Sequence, residues 1–335
     1  MIKNYFSLSF QWPTQEPFLF CVHHLDYYPK GNDQFGPDKK LLLHRNLGQD
    51  FELKDGFRMY HGEEVPGFPV HPHRGFETIT IVRQGFVDHA DSLGASGRYG
   101  EGDVQWMTAG AGVQHSEMFP LLHKNQSNTC ELFQIWINLP QKSKMVPAHF
   151  KMFWSENIPQ FKKDNTCVTV IAGQYQNIKS LNPPPDSWAS QPENEVVILL
   201  VKMKSNEVFK LPATQQFANR TLYFFEGKSL DLNNIKIEAN TGLNLESQID
   251  LEIKSNSTDV EFLILQARPI GEPTFQHGPF VMNSKEQIYQ TIQDYQRTQF
   301  GGWPWPKHDM VHGPDLQRFA QYPNGKVETP GQEHA

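Results

Sequence analysis

Gly67-Phe-Pro-Val-His71-Pro-His73-Arg-Gly-Phe-Glu77-Thr-Ile-Thr-Ile-Val82 is the stretch on which the reading of this chain turns. From Glu77 to Val82 polar and apolar side chains alternate, the period of a half-buried strand, and Arg83-Gln-Gly85 then enters a turn. A second strand is expected over Val87 to Ala90. Gly94, Gly97, Gly100 and Gly102 punctuate the next loop, before Asp103-Val-Gln-Trp-Met-Thr108. A further turn, Ala109-Gly-Ala-Gly112, leads into Val113-Gln-His115-Ser-Glu117-Met-Phe119. Short strands at short, glycine-marked intervals predict a sandwich or barrel.

Working outward, Glu131-Leu-Phe-Gln-Ile-Trp-Ile-Asn-Leu-Pro140 closes this half as an apolar strand, and Gln141 to Lys163 reads as irregular. The second half repeats the theme in Val168 to Gly173, Val196 to Met203, Thr221 to Gly227 and Glu261 to Gln266. Thr221 to Gly227 mirrors Thr78 to Gly85, and Glu261 to Gln266 mirrors Glu131 to Trp136, so two related β units in tandem are expected. Asn283-Ser-Lys-Glu286 resembles a capping box. Ile288, Ile292 and Tyr295 follow on one helical face, and Gly301 stands just past the end. The expected class is all-β: two tandem barrels of jelly-roll type plus a C-terminal helix and an extended tail. Its boundaries are 1–145 for the N-terminal barrel, 146–165 for a linker, 166–280 for the C-terminal barrel and 281–335 for helix and tail.

Length and composition agree with this reading. At 335 residues with 38% hydrophobic content there is room for two cores, and 24 each of Gly, Pro and Phe favour many short strands over long helices. The net charge of −7, with 30 basic residues scattered along the chain, sets no field for a phosphate backbone, so direct nucleic-acid binding is not expected. Three well-separated cysteines, Cys21, Cys130 and Cys167, argue against a disulfide framework or a thiolate zinc site and for a reducing compartment. Neither a signal-type h-region nor a membrane-length apolar run is seen, so a cytoplasmic protein is expected.

Chemistry enters through parity. Side chains of a strand alternate faces, so His71 and His73 project to one side while Pro72 points away. The same holds for His115 and Glu117. Together they offer three imidazoles and one carboxylate to a single ion with coordination positions left open. This donor set suits Fe(II), Mn(II), Ni(II), Cu(II) or Zn(II), and the donors alone do not choose among them. A lone His-x-His is more often structural than a ligand. The second pair at matching parity turns the balance toward a metal.

Gly67 to Thr78, followed by Gly102-Asp-Val-Gln-Trp-Met-Thr-Ala-Gly110-Ala-Gly-Val-Gln-His115-Ser-Glu117-Met, resembles the pirin family of the cupin superfamily, in a bacterial form. The likeness continues in Val170-Ile-Ala-Gly173, Gly271-Glu-Pro and Gly278-Pro-Phe-Val-Met-Asn283. It implies a bicupin whose metal sits on His71, His73, His115 and Glu117, commonly as iron, with nickel, manganese, copper, cobalt and zinc as other candidates. It also implies dioxygenase activity on the flavonol quercetin in some members and regulatory roles in others. Ser116 between the two ligands, an insert around Asn32 to Lys40 and the long tail depart from the common pattern. No histidine lies between His149 and His277, and the segment placed like His71 to His73 reads Ala213-Thr-Gln215, so a second equivalent site is not expected.

Glu77 can accept from an imidazole N–H or pair with Arg74 or solvent. Phe76, Trp106, Met107, Met118 and Phe119 can wall an aromatic substrate, with core packing expected for about half. His23, His24, His61 and His89 form no spaced set, and Pro304 and Pro306 oppose a helix under His308 and His312. No nucleophile elbow, phosphate loop or dinucleotide fingerprint appears. The leading expectation is an O₂-using dioxygenase that binds a flavonol-like or other metal-chelating small molecule, with Glu117 both ligand and proton acceptor. The alternatives are a non-catalytic metal or redox sensor acting through a protein partner, and a cupin-type isomerase in which the metal only polarises substrate.

Overall fold

Alternation over Glu77–Val82 becomes a strand because each apolar side chain in it finds a buried face, and the same logic repeats along the chain. The computed structural model describes residues 1–331. In chain order its first strands are β1 (Ile2–Ser7), β2 (Phe18–Tyr28), β3 (Gly67–His73), β4 (Phe76–Gln84), β5 (Phe86–Asp91) and β6 (Ser96–Gly100). They are followed by β7 (Val104–Thr108), β8 (Val113–Met118), β9 (Asn128–Asn138), β10 (His149–Phe153), β11 (Gln160–Lys163) and β12 (Thr166–Ala172). The second half continues in strands through Val260–Ala267, and the helix α1 spans Lys285–Thr298.

The chain forms two compact units that are not sequential blocks. One comprises Met1–Val22, Ile135–Pro140 and Asn157–Glu272; the other comprises His23–Gln134, Gln141–Glu156 and everything described from Pro273 onward. The opening residues therefore belong with the second-half strands, and the closing segment belongs with the first-half strands. The stretch read as irregular, 141–163, contains β10 and β11. These were hard to see because β10 gains its identity from pairing with β7, a non-local contact.

In the second-half unit, β1 is an edge strand of a seven-stranded sheet that runs through Thr241–Glu246, Asn219–Glu226, Val260–Ala267, Val197–Met203 and β12 to β11. Its core includes Val168, Leu199, Phe209, Leu222, Leu243 and Phe262. Ala213 to Gln215 falls in the loop between Val208–Leu211 and Asn219–Glu226.

The other unit has two layers. One is the sheet β10-β7-β4-β9-β2; the other runs Val327–Glu328, Phe319–Gln321, β6, β5, β8, β3. Their facing sides enclose Val82, Val87, Tyr99, Leu132, Met152 and Trp154. A sheet in such a sandwich usually shows its other face to water, yet β6 and β8 are buried at every position and β5 at all but its first. The C-terminal segment explains this. Phe319–Gln321 pairs with β6, His312 donates its backbone N–H to Asp88 Oδ2 (2.8 Å), and Arg98 donates to the Asp315 carbonyl oxygen. Under this cover, Arg98 grips Asp88 through two hydrogen bonds of 2.7 and 2.6 Å. The tail, expected as extended chain, thus contributes two short strands to the sheet.

Helix α1 starts one residue later than its expected box. Ser284 accepts from the Gln287 N–H (3.2 Å), and the Gln287 side chain accepts from the Asn283 N–H (2.9 Å), so Gln287 rather than Glu286 completes the cap. Arg74 ties the helix to the barrel through Asp294 at 2.9 Å and lies over the Phe300 ring at 4.4 Å.

Candidate metal centre

Strands β3 and β8 pair antiparallel, with His71 opposite His115, Pro72 opposite Gln114 and His73 opposite Val113. Directly opposed residues of an antiparallel pair point to the same side. His71, His73 and His115 therefore converge, and one ring nitrogen from each lies within 4.8 Å of the others. Ring centroids are 4.4 Å apart for His71 and His115 and 4.8 Å for each of the other two pairs.

Burial sets the protonation of this cluster. Desolvation lowers the His71 pKa to about 4, against a smaller upward pull from its bond to the Pro69 backbone. His73 and His115 are held well below the ordinary imidazole range, first by burial and then by neighbouring histidines. All three are neutral at pH 7, the state a metal needs. His71 Nδ1 lies 2.9 Å from the Pro69 carbonyl oxygen, which can only accept, so Nδ1 carries the proton and Nε2 presents its lone pair. For His73 a smaller upward pull comes from the Pro279 backbone.

His115 supplies the test of fit. Its side chain is fully buried, and neither ring nitrogen has a hydrogen-bond partner among the described residues. A buried imidazole without partners is costly, and a cation taken up by the cluster offsets that cost. These residues fit a divalent transition metal.

Glu117 stands two residues on, on the same face of β8, with Oε2 3.8 Å from His115 Nε2. Burial raises its pKa, while His89 and hydrogen bonds from Thr80 and Tyr99 work in the other direction. Thr80 Oγ1 is 2.9 Å from Glu117 Oε1 and 2.9 Å from the Gln134 amide. The Gln134 atom facing it is the amide oxygen Oε1, and a hydroxyl has one proton, so Thr80 donates to one of the two oxygens at a time.

Two residues that the sequence did not group with the site stand beside it. His89 on β5 is the register partner of Glu117, and its ring lies 5.4 Å from that of His115, with Nε2 3.2 Å from Asp91. Phe68 on β3 is the other register partner of Glu117. An alternating strand puts residues 68 and 71 on opposite faces. The register shift between Phe68 and His71 returns them to the same one. Phe76, Trp106, Met107, Met118 and Phe119 are all buried, with Phe76 against His73 at 5.1 Å. Glu77 is buried and accepts from the Thr108 hydroxyl, while Arg74 serves Asp294. His24 bonds Tyr60, the His308 carbonyl oxygen accepts from the Val70 N–H at 2.9 Å, and His312 Nε2 lies 2.7 Å from the His89 carbonyl oxygen.

Comparison with known proteins places the chain in a family. The Pirin family model matches residues 34–137, and that of the pirin C-terminal cupin domain matches residues 198–301. A Pseudomonas aeruginosa protein named "Putative quercetin 2,3-dioxygenase" is 36% identical over 279 residues, which cover 79% of this chain and 92% of that one. A pirin-like protein of Caulobacter vibrioides is 35% identical over 235 residues, 70% of this chain and 80% of its own. Among solved structures, a quercetin 2,3-dioxygenase from Acinetobacter baumannii matches with a TM-score of 0.71 at 26% identity, covering 90% of this chain and 98% of that one. With a three-imidazole cluster in the first of two cupin barrels, a C-terminal helix and relatives of this kind, the chain belongs to the pirin family.

Proposed function

We propose that this protein is a mononuclear metal-dependent dioxygenase acting on a flavonol-like hydroxy-ketone and O₂, with His71, His73, His115 and Glu117 as ligands and iron as the metal. Nickel, manganese, copper, cobalt and zinc also suit the donors. The observation that carries this reading is the convergence of three neutral imidazoles within 4.8 Å, two of them buried and His71 half-buried, with a buried carboxylate 3.8 Å from one of them. The names borne by the Pseudomonas and Acinetobacter relatives support the substrate class.

When bound, the metal supplies Lewis acidity and open positions for a chelating substrate. The protein's own groups do the rest. His71 is fixed in orientation by the Pro69 carbonyl, so its Nε2 needs no rearrangement to bind. Phe76, its ring 5.1 Å from that of His73, shields that ligand from water. Glu117, whose carboxyl is pushed up by burial, accepts the proton of the substrate hydroxyl, and Thr80 holds its carboxylate in place. Three unpaired cysteines, two of them buried, suit a reducing cytoplasm.

The test is O₂ uptake and bleaching of quercetin absorbance by purified, iron-loaded protein. Activity that disappears in His115→Ala supports the proposal. Metal-loaded protein that consumes no O₂ and leaves quercetin intact overturns it. A protein partner whose capture depends on the metal's oxidation state then favours the regulatory alternative.

A further inference from the structure

We infer that Phe51, His61 and Phe68 form an aromatic rim beside the metal centre that receives the planar ring of the substrate, and that they select hydroxylated aromatic chelators over smaller ones. The inference rests on the proposed metal-dependent function.

The metal cluster is closed on the His73 and His115 side, where both residues are buried, and opens on the His71 side. There β3 is only partly buried from Phe68 to Pro72. Phe68 faces inward opposite Glu117, with its ring centroid 6.3 Å from that of His71. His61 follows, 5.7 Å from Phe68, and Phe51 lies 4.9 Å from His61 and 6.3 Å from Phe68. His61 is exposed, and Phe51 is 39% exposed, unusual for a phenylalanine with three aromatic neighbours. Interplanar angles of 58° to 75° within this trio stand the rings on edge to one another. Such rings can meet a flat guest by face on one side and by edge on another.

His61 adds polarity to the rim. Its Nδ1 is 2.7 Å from the Gly48 carbonyl oxygen, so Nδ1 carries the proton and Nε2 is left as an acceptor suited to a phenolic hydroxyl. The loop bearing Phe51 is held in advance of any ligand. The buried Arg45 side chain bonds Asp50 at 2.8 Å and the Lys54 and Phe57 carbonyls at 2.6 and 3.1 Å, and lies over the Phe57 ring at 3.9 Å. A fixed aromatic wall costs little entropy when a ligand arrives.

The test uses full-length, metal-loaded protein and two probes, quercetin and a monocyclic hydroxypyranone that carries the same hydroxy-ketone donors without the further rings. Dissociation constants are read from the absorbance shift of each probe, with metal content and thermal midpoint measured in parallel. Phe51→Ala and His61→Ala are expected to weaken quercetin about tenfold each, to leave the hydroxypyranone within twofold, and to leave metal content and midpoint unchanged. Phe51→Tyr is expected to retain quercetin binding. If wild type binds both probes and neither alanine variant changes the quercetin constant, the rim is wrong and the proposed function stands. An equal loss of both probes also overturns the selective role. If loaded wild type binds neither probe, the proposed function falls and the rim with it.

Discussion

His71 and His115 are direct partners across the antiparallel β3–β8 pair, with ring centroids 4.4 Å apart, so the centre is built by strand register rather than by loops. A metal taken up there would tie the two strands together and stabilise the folded chain. With free metal at ~100 times its dissociation constant, binding contributes about 2.7 kcal/mol. Chelation should therefore lower the thermal midpoint of wild type, and excess Fe(II) or Zn(II) should restore it. His115→Ala should lose ~100-fold or more in metal affinity and show no such dependence; calorimetric midpoints with and without chelator measure both. A His115→Ala protein whose midpoint still rises with metal to the wild-type extent would remove His115 from the ligand set.

Acid should destabilise the metal-free protein by a route the buried imidazoles define. His24, fully buried with Nδ1 2.7 Å from the Tyr60 hydroxyl, has its pKa lowered to about 3, mainly by desolvation, and that of His71 falls to about 4. In the unfolded chain both return to roughly 6.5. Below that value the unfolded state binds protons that the folded state refuses, so stability falls as pH drops from 6.5 toward 4 and 3. Each such group contributes up to ~1.4 kcal/mol per pH unit across its window. Urea midpoints of metal-free protein at pH 7, 6 and 5 should decline in that order, and His24→Phe should flatten the decline. A pH-independent midpoint would contradict the assignment.

Much of this was legible in the sequence, and what was not has a physical cause. The i, i+2 spacing of His71 and His73, and of His115 and Glu117, carries its own geometry because strand parity is local. Phe68 fails that rule: three residues from His71, it belongs on the other face until the bulge between them is known. His89 is alone in the sequence and meets Glu117 only through the β5–β8 register. β1 pairs with Thr241–Glu246 and Phe319–Gln321 pairs with β6, contacts so distant in sequence that no window contains both partners. Proline-rich composition described the tail's backbone correctly as non-helical but concealed its role as a cover.

That cover makes Asp88 and Arg98 a prediction of their own. Both side chains are almost wholly buried on the face of β5 and β6 roofed by the C-terminal segment. Arg98→Met leaves a buried carboxylate without its partner and should cost about 3–5 kcal/mol. Asp88→Leu combined with Arg98→Met removes both charges and should cost less than Arg98→Met alone. Denaturant titrations of the three proteins decide it, and a double variant weaker than the single would show that the pair stabilises the unit outright.

At Gly67, opposite Met118 in the β3–β8 pair, the backbone leaves no room for a side chain beside Glu117. The Gly67 φ of +132° disfavours any side chain, and a Cβ there would lie 2.5 Å from the Glu117 carbonyl oxygen and 2.8 Å from Met118 Cα. Gly67→Ala therefore has to push β3 away from β8 at the point where Glu117 is held, or twist the start of β3. Strain of this kind costs on the order of 1–3 kcal/mol. Displacement of β3 carries His71 and His73 with it, so metal affinity should fall even though no ligand is changed. Gly94→Ala is the control: its φ of +89° is equally unfavourable, but nothing lies within 4 Å of the added Cβ. It should lose comparable conformational stability and keep its metal, as measured by metal content after dialysis. Equal metal loss in the two variants would mean that general destabilisation, rather than the β3–β8 spacing, controls the centre.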